Sequence, residues 1–220
     1  MLEAINLGCI RGDRRLFRDL NFKLEAGHLL ELRGRNGGGK TSLLRILCGL
    51  ATPAEGEVQW NGTNIRRLRE EYFASLSYVA HLNGLKDELT ALENLLVAER
   101  ISGHQQTRQQ AGDTLSRVGL ANQRHLPARF LSAGQRRRLA LARLLASDSS
   151  LWILDEIVTS LDDSGVNLAR DLITDHVKSG GIAIVATHQK LNLSVANSQV
   201  INLSSEEGKI LFAIPADQFA

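Results

Sequence analysis

A glycine-rich segment between a strand pattern and a helix pattern constrains this chain more than any other feature. Residues Gly34–Thr41 read GRNGGGKT and match the pattern G-x-x-x-x-G-K-[ST] in full. The apolar stretch His28–Arg33 predicts a strand before it, and the leucine spacing of Ser42–Leu50 predicts a helix after it. Glycines let the backbone turn its N–H groups toward an anion, and a helix that starts near Lys40 adds its positive dipole end. The segment therefore predicts a phosphate-binding loop.

Two side chains of this loop have predicted chemical roles. The Lys40 ammonium group reaches the β- and γ-phosphates of a bound nucleotide, and the Thr41 hydroxyl ligates Mg²⁺. We predict nucleotide contacts along the whole loop and from the residue after it. The predicted residues are Gly34, Arg35, Asn36, Gly37, Gly38, Gly39, Lys40, Thr41 and Ser42.

Apolar runs predict a parallel sheet whose chain is interrupted by helices. Leu151–Leu154 and Ile182–Ala186 are continuous apolar runs, which suit strands buried on both faces. Leu2–Leu7 and Leu20–Leu24 alternate instead, as half-buried antiparallel strands do. Strand signals are absent from about residue 89 to residue 146. We predict a single α/β domain whose core comprises about residues 1–85 and 147–220, with a helical subdomain inserted at about 86–146.

Local signals add helices and hairpins to this outline. Thr90 with Glu93 three residues later forms a capping-box pattern, and helical segments are predicted over Gln105–Val118 and Arg136–Ala146. Asn-Gly turns favour tight hairpins, so a hairpin is predicted at Asn61-Gly62. A late hairpin formed by two further strand segments closes the predicted sheet. Those segments are Val200–Leu203 and Ile210–Ala213.

Two adjacent carboxylates follow a predicted buried strand. Asp155 stands where a carboxylate can hold Mg²⁺, and Glu156 comes next in the chain. A carboxylate at that second position can orient an attacking water and take its proton. His188 follows the strand Ile182–Ala186 after one threonine, where it can hydrogen-bond the γ-phosphate or the water. The sequence therefore predicts Glu156, His188 and Lys40 as catalytic residues.

The segment Leu131-Ser132-Ala133-Gly134-Gln135 lies between the loop and these carboxylates. With Asp162 six positions after Glu156, this order of elements resembles the ATP-binding cassette (ABC) ATPases along nearly the whole chain. The resemblance implies a P-loop NTPase fold with a RecA-like core and an N-terminal antiparallel β part. It also implies that Leu131–Gln135 is a signature motif whose Ser132 and Gly134 contact the γ-phosphate bound to a second copy of the chain. Hydrolysis of MgATP would then open and close a head-to-tail dimer.

Three positions depart from the pattern of that family. His81 stands where the family's Q-loop carries glutamine, and neutral imidazole offers only one donor and one acceptor. No aromatic residue lies near Cys9–Arg14, where the family stacks one on adenine, so Arg11 or Arg14 stacks instead or the base is held loosely. Ile157 replaces a common proline.

A narrower resemblance comes from the segment that begins HLNGLK at His81 and continues as LTALENL at Leu89. This segment, together with Thr187-His188-Gln189, is similar to the CcmA family of cytochrome c maturation ATPases. The resemblance implies a membrane subunit (CcmB) and the heme-handling partners CcmC, CcmD and the chaperone CcmE, at the cytoplasmic face of a bacterial inner membrane. The implied work is heme export, or release of heme-loaded chaperone. No CxxCH heme-attachment pattern is present.

Composition disfavours several classes of partner and of binding site. The net charge of +2 does not favour a nucleic-acid partner, and Arg136–Arg138 is interpreted first as a solvated helix face. Cys9 and Cys48 form no metal-binding spacing and are predicted to be buried thiols. No signal peptide or membrane-spanning run is predicted, so a membrane role needs a separate subunit. The alternatives left open are the ATPase of another small exporter, for drugs, lipid or ions, and a non-transport ABC protein of repair or translation.

Overall fold

The computed structural model describes residues 1–80, 83–101, 103, 106–188, 191–203 and 210–213, the last range by its backbone alone. Two sheets and seven α-helices make up these residues. His81, the predicted Q-loop residue, lies outside these ranges, as does Gln189. No helix of the described residues is both long enough and apolar enough to cross a bilayer.

The smaller sheet is antiparallel and has the strand order β2-β1-β4-β5. Its turn at Asn61-Gly62 has positive φ at both residues, 50° and 79°, as the tight turn predicted from Asn-Gly requires. The bounds of its strands are β1 Leu2–Arg11, β2 Arg14–Leu24, β4 Glu55–Trp60 and β5 Thr63–Asn64.

The larger sheet has the order β10-β9-β3-β8-β7-β6, parallel throughout except for the antiparallel edge pair β9–β10. Since parallel strands end at the same edge, the residues that follow β3, β7 and β8 meet there. The strands are β3 His28–Gly34, β6 Leu76–Val79, β7 Leu151–Asp155, β8 Ile182–Ala186, β9 Asn197–Leu203 and β10 Ile210–Ala213. The predicted buried strands and the late hairpin are therefore confirmed.

Three of the helices start at capping boxes that the sequence encodes. Thr107 and Ser132 each form a complete capping box with a glutamine three residues later, and Thr90 forms one with Glu93. The helices are α1 Lys40–Leu47, α2 Ile65–Leu68, α3 Glu70–Ala74, α4 Ala91–Ile101, α5 Arg108–Arg117, α6 Ala133–Leu145 and α7 Asp163–Lys178.

Two hydrophobic clusters lie on the two faces of the parallel sheet. Strand β7 contributes to both, because its side chains alternate: Leu151 and Ile153 pack with α1 and the antiparallel sheet, whereas Trp152 and Leu154 pack with α4 to α7. Helices α4, α5 and α6 fall within the predicted helical insertion, whose boundaries stay a prediction. Both cysteines are free and buried, as predicted.

Three local predictions differ from the structure, and one helix was not predicted. Helix α1 ends at Leu47, and α6 begins at Ala133 rather than Arg136, because Ser132 caps it. The sixteen-residue helix α7 was not predicted. The prediction that Arg136–Arg138 forms a solvated face is wrong for Arg137, which is only 3% exposed.

Candidate functional site

The glycine loop turns sharply between β3 and α1, and at Gly34 its backbone leaves no room for a side chain. A Cβ at Gly34, where φ is 139°, would lie 2.2 Å from the carbonyl oxygen of Leu203 on β9. Gly39 has φ 99° and forms the N-cap of α1. Non-glycine residues rarely adopt either conformation, so the path of this loop depends on its glycines. The first residue of α1, Lys40, is thereby placed at the edge of the sheet.

The Lys40 side chain folds back over the loop. Its Nζ donates to the carbonyl oxygens of Gly34 at 2.8 Å and Arg35 at 3.3 Å, and it lies 3.4 Å from Nε2 of His188. Burial lowers the pKa of Lys40, while the neighbouring carboxylates of Glu156 and Asp155 act in the opposite direction. The loop thus holds a desolvated cation, which interacts with an anion more strongly than a hydrated one does.

Thr41 and Asp155 bring two oxygen atoms together at the carboxyl end of β7. The Thr41 hydroxyl donates a hydrogen bond of 2.9 Å to Oδ2 of Asp155, whose side chain is almost fully buried. Hydroxyl and carboxylate oxygens are hard ligands that Mg²⁺ prefers. The described residues contain no group of three or more histidine, cysteine or acidic side chains that could hold a metal ion.

Glu156 has an uncommon backbone conformation, with φ 54°. Its N–H donates to the carbonyl of Ala186 on β8 at 2.8 Å, which fixes the turn that follows β7. Its Oε1 lies 3.2 Å from Nε2 of His188, buried and without a hydrogen bond to the described residues. A buried acceptor of this kind is available to a water molecule beside the phosphate loop.

These residues share one cavity of about 440 Å³ at the edge of the parallel sheet. The predicted loop residues Gly34, Arg35 and Gly38 do not line it, and neither does any residue of Leu131–Gln135. The lining consists of Arg11, Arg14, Leu16, Asn36, Gly37, Gly39, Lys40, Thr41, Ser42, Asp155, Glu156 and His188. One end of the cavity is therefore a phosphate-type site, and the other is the hairpin between β1 and β2.

The segment Leu131–Gln135 forms the start of α6. The Ser132 hydroxyl accepts from the Gln135 N–H at 3.2 Å, and the Gln135 side chain accepts from the Ser132 N–H at 2.9 Å. A Cβ at Gly134 would lie 3.0 Å from the carbonyl oxygen of Ser160, so glycine permits a close approach between these two segments. Ser132 remains exposed, so its chemistry is directed away from the cavity of its own chain.

Asp162 caps the next helix instead of lining the cavity. Its Oδ1 accepts from the Gly165 N–H at 2.9 Å and from Arg138 at 2.7 Å. The hydrogen bond from Arg138 is the main reason that the pKa of Asp162 is lowered. Asp162, which by resemblance to the ABC ATPases is the D-loop residue, is thus tied to the helix that begins after Ser132.

Sequence reasoning missed one residue of this region, Arg137. Its guanidinium donates to main-chain carbonyls at the carboxyl end of β7, including that of Glu156. The signal was present in the sequence, because Arg137, Leu141 and Leu144 share the i, i+4, i+7 spacing of a buried helix face.

Comparison with known proteins gives a family model described as ABC transporter, which matches residues 17–159. Three similar curated proteins are each called cytochrome c biogenesis ATP-binding export protein CcmA. The protein from Nitrosospira multiformis is 50% identical over 203 residues, which are 92% of this chain and 98% of that protein. Those from Nitrosomonas europaea and Dechloromonas aromatica are 48% and 47% identical, and the matches cover 93% and 92% of this chain and 96% and 100% of theirs.

Solved structures share the fold at lower identity. A putative ABC transporter ATP-binding protein from Pyrococcus furiosus gives a TM-score of 0.79 at 22% identity, covering 90% of this chain and 96% of that one. An ATP-binding cassette solved as a post-hydrolysis dimer bound to ADP and Pi gives 0.81 at 22% identity, covering 96% and 98%. At this identity the likeness establishes the architecture predicted from the sequence: antiparallel strands, a parallel core and inserted helices.

Proposed function

The chain belongs to the ABC transporter family and, within it, to the CcmA group of cytochrome c biogenesis ATP-binding export proteins, and we propose that it is the ATP-hydrolysing subunit of a membrane complex for cytochrome c biogenesis. The hydrolysis of MgATP would drive heme handling and export, or the release of a heme-loaded chaperone. The observation that carries the proposal is the meeting of Lys40, Asp155, Glu156 and His188 at one cavity, on a chain that also has the segment Leu131–Gln135.

The triphosphate would lie along the glycine loop. Lys40 is placed to pair with the β- and γ-phosphates, since its Nζ already bonds the carbonyls that the loop turns inward. The Thr41 hydroxyl and the Asp155 carboxylate would hold Mg²⁺, which neutralises phosphate charge when bound. The helix dipole of α1 adds a fixed positive potential at the same place.

Glu156 is the proposed general base. Its Oε1 would accept a proton from water as the water oxygen bonds to the γ-phosphorus and the bond from that phosphorus to the bridging oxygen breaks, leaving ADP and phosphate. His188, with Nε2 near both Oε1 of Glu156 and Nζ of Lys40, would hold the γ-phosphate in line with that water. Positioning of this kind accounts for most of the rate enhancement in phosphoryl transfer.

The nucleobase would be held at the other end of the cavity by the β1–β2 hairpin. Arg11 and Arg14 face each other across the last pair of that hairpin, and both line the cavity beside Leu16. Two like charges directly opposite one another are unfavourable, and stacking on an adenine ring would offset part of that cost. A guanidinium plane and a leucine thus replace the missing aromatic residue.

The segment Leu131–Gln135 would complete the site of a second copy of the chain. Ser132 is exposed at the start of α6, where N–H groups and the helix dipole favour an anion. We propose a head-to-tail dimer with two nucleotides between the subunits, at the cytoplasmic face of a bacterial inner membrane. Its further partners would be a CcmB-like membrane subunit and the heme-handling proteins CcmC, CcmD and CcmE. Nucleic acid has no place in this proposal.

The base assignment is tested by Glu156→Gln, which keeps the size of the side chain and removes its basicity. We expect ATP binding within about twofold of the original chain and turnover lowered by roughly 10²-fold or more. Glu88→Gln, an exposed residue on the same chain, is the matched control and should leave turnover unchanged. Phosphate release and binding of a fluorescent ATP analogue are the measurements, and full turnover in Glu156→Gln would refute the assignment.

The dimer is tested by mixing two inactive chains. Lys40→Ala disables the loop of its own chain, and Ser132→Arg disables the signature that a chain offers to its partner. A mixed dimer then has one intact site, made of the loop of the Ser132→Arg chain and the signature of the Lys40→Ala chain. Random pairing should restore up to roughly a quarter of the original turnover. No recovery on mixing would contradict the head-to-tail arrangement.

A further inference from the structure

Arg137 is a buried charge whose hydrogen bonds are fully used. A guanidinium has five N–H donors, and the structure supplies five acceptors. The carbonyl oxygens of Asp155, Glu156 and Ile157 accept three of these bonds, that of Asp155 at 2.9 Å and that of Ile157 at 2.9 Å. The remaining two go to the carbonyl of Ala80 at 3.0 Å and Oδ1 of Asn83 at 2.8 Å. One side chain therefore joins three separate segments.

None of these five acceptors is a carboxylate, so the charge is solvated by neutral dipoles. Burial lowers the pKa of Arg137, and the negative charges of Asp155 and Glu156 nearby act in the opposite direction. Keeping a charge at this position is costly, and a structural contact alone could use an apolar side chain. Lysine could not replace the guanidinium, because it has no planar fork of donors.

We call the five hydrogen bonds of Arg137 the clamp. Glu156 is the middle one of the three consecutive residues whose carbonyls the clamp holds, and its backbone is strained. Glu156 has φ 54°, a region that a glutamate adopts only when its surroundings hold it there. Its carbonyl accepts from Arg137 and from the Thr159 N–H, and its own N–H is bound to Ala186. Arg137 thus fixes both peptide groups that flank the Glu156 side chain. It does not line the cavity, so it can act on a reaction there only through residues that it holds in place, and Glu156 is the one whose two flanking peptide groups it bonds.

We propose that Arg137 is a positioning residue that holds the Glu156 carboxylate in line with its water and ties it to the helix that begins at Ser132. The proposal rests on the proposed ATPase function. Arg137 lies five positions after Ser132, roughly 7.5 Å along α6, so the clamp and the signature segment belong to one rigid element. The alignment of the base is in this way fixed by the same helix that faces the partner subunit.

The first test compares Arg137→Gln with Arg136→Gln, which removes the same charge one residue away. Arg136 contacts the Asp87 carboxylate and the Ala128 carbonyl on the outer side of α6. We expect Arg137→Gln to lower kcat by roughly 10- to 100-fold with KM and ATP affinity within about threefold, because only the transition state needs an aligned base. Arg136→Gln should keep kcat within about twofold. Arg137→Lys, which retains the charge and some donors, should be intermediate.

The second test separates positioning from damage to the helix. In the mixed dimer of Lys40→Ala and Ser132→Arg chains, the working Glu156 belongs to the Ser132→Arg chain. Arg137→Gln in that chain should abolish the restored turnover. The same change in the Lys40→Ala chain, which supplies only the signature, should retain at least about half of it. Loss of activity in both arrangements alike would show a general defect of α6 and would overturn the proposal.

The remaining outcomes are also decisive. Turnover unchanged in Arg137→Gln, with Glu156→Gln inactive, refutes the clamp and leaves the ATPase proposal intact. An original chain that hydrolyses no ATP refutes both. If Arg137→Gln does not fold, Arg137→Lys must show the fall in kcat at unchanged ATP affinity, and a fall in affinity of the same size instead would overturn the positioning role.

Discussion

Three consecutive arginines on α6 have three different surroundings. Arg136 pairs with Asp87 at 2.6 Å on a partly exposed surface, and Arg138 pairs with Asp162 at 2.7 Å. Ion pairs with an exposed partner contribute little to stability, because water and salt screen them. Arg137, between them, points into the fold and has all its donors used. The contribution of each arginine to the structure therefore depends on the side of the helix on which it lies.

The phosphate loop allows a prediction about a single glycine. Gly34→Ala places a methyl group 2.2 Å from the Leu203 carbonyl at a positive φ, so we expect a loss of stability on the order of 3 kcal/mol. Gly37→Ala is the control, because φ is 76° there but no atom lies within 4 Å of the new methyl group. Its cost should be about 1–2 kcal/mol. Urea unfolding measures both, and equal losses would contradict the steric argument.

Among the helices, α5 and α6 begin with the same kind of cap, but only the cap of α6 belongs to the segment Leu131–Gln135. Ser132 on α6 and Thr107 on α5 each form a capping box with glutamine. We expect Ser132→Ala and Thr107→Ala each to lower the free energy of unfolding by about 1 kcal/mol. Only Ser132→Ala should also lower turnover, since Thr107 belongs neither to the cavity lining nor to the segment Leu131–Gln135. Thermal unfolding and phosphate release, measured on both variants, separate the two effects.

The packing of α7 on β7 gives a pH dependence. His176 stacks on Trp152 with ring centroids 3.9 Å apart, and its Nε2 donates to the Ile182 carbonyl at 3.2 Å. Burial lowers the pKa of His176, against the raising effect of its backbone hydrogen bonds. The unfolded chain, with a histidine pKa near 6.5, therefore binds this proton more tightly. Its contribution to stability is complete above about pH 6.5 and is lost as the pH falls toward the folded-state pKa.

Stability curves at pH 7 and pH 5 test this sign. We expect His176→Gln to lose less stability between the two pH values than the original chain does, whereas His125→Gln, at an exposed position, should behave like the original. An unchanged pH dependence in His176→Gln would show that other groups carry it.

The sequence predicted the elements with strong local signals and missed those that depend on tertiary contacts. Loop glycines, apolar strands and capping boxes have local causes, and they were found within a few residues. Helix α7 begins after Asp162, whose side chain accepts a hydrogen bond from the Gly165 N–H, but the glycine at position 165 in its first turn weakens the local helix signal. The surroundings of Arg137 could not be predicted, because its acceptors lie 18 to 57 residues away in the chain. The roles of the individual site residues stay predictions.

In the molecule as a whole, the parallel sheet lies between two hydrophobic clusters and contributes side chains to both. Leu151 and Ile153 belong to one cluster and Trp152 and Leu154 to the other, so neither cluster can lose its packing without exposing a face of the same strand. Helices α4 and α5 pack in the same cluster as Trp152 and Leu154. We therefore expect the chain to unfold as one cooperative unit.

Leu115→Ala on α5 tests this expectation from a distance. Leu115 is fully buried on one side of the sheet, and Trp60 packs in the cluster on the other side. The substitution should cost about 2–5 kcal/mol. In a Trp152→Phe background, the denaturant midpoint read from Trp60 fluorescence should fall as much as the midpoint read from far-UV circular dichroism. Two separate transitions would show that the helices unfold independently.

The placement of Ser132 at the start of α6, outside the cavity of its own chain, has a genetic consequence. In the proposed dimer, a chain with Ser132→Arg keeps its own phosphate loop and disables that of its neighbour. In a cell that makes equal amounts of normal and altered chains, only about a quarter of random pairs would contain two normal subunits. About half of the pairs would be mixed and would keep one working site, so the altered chain would also lower the activity of normal subunits, whereas a loss of expression would leave each normal subunit paired with another normal one.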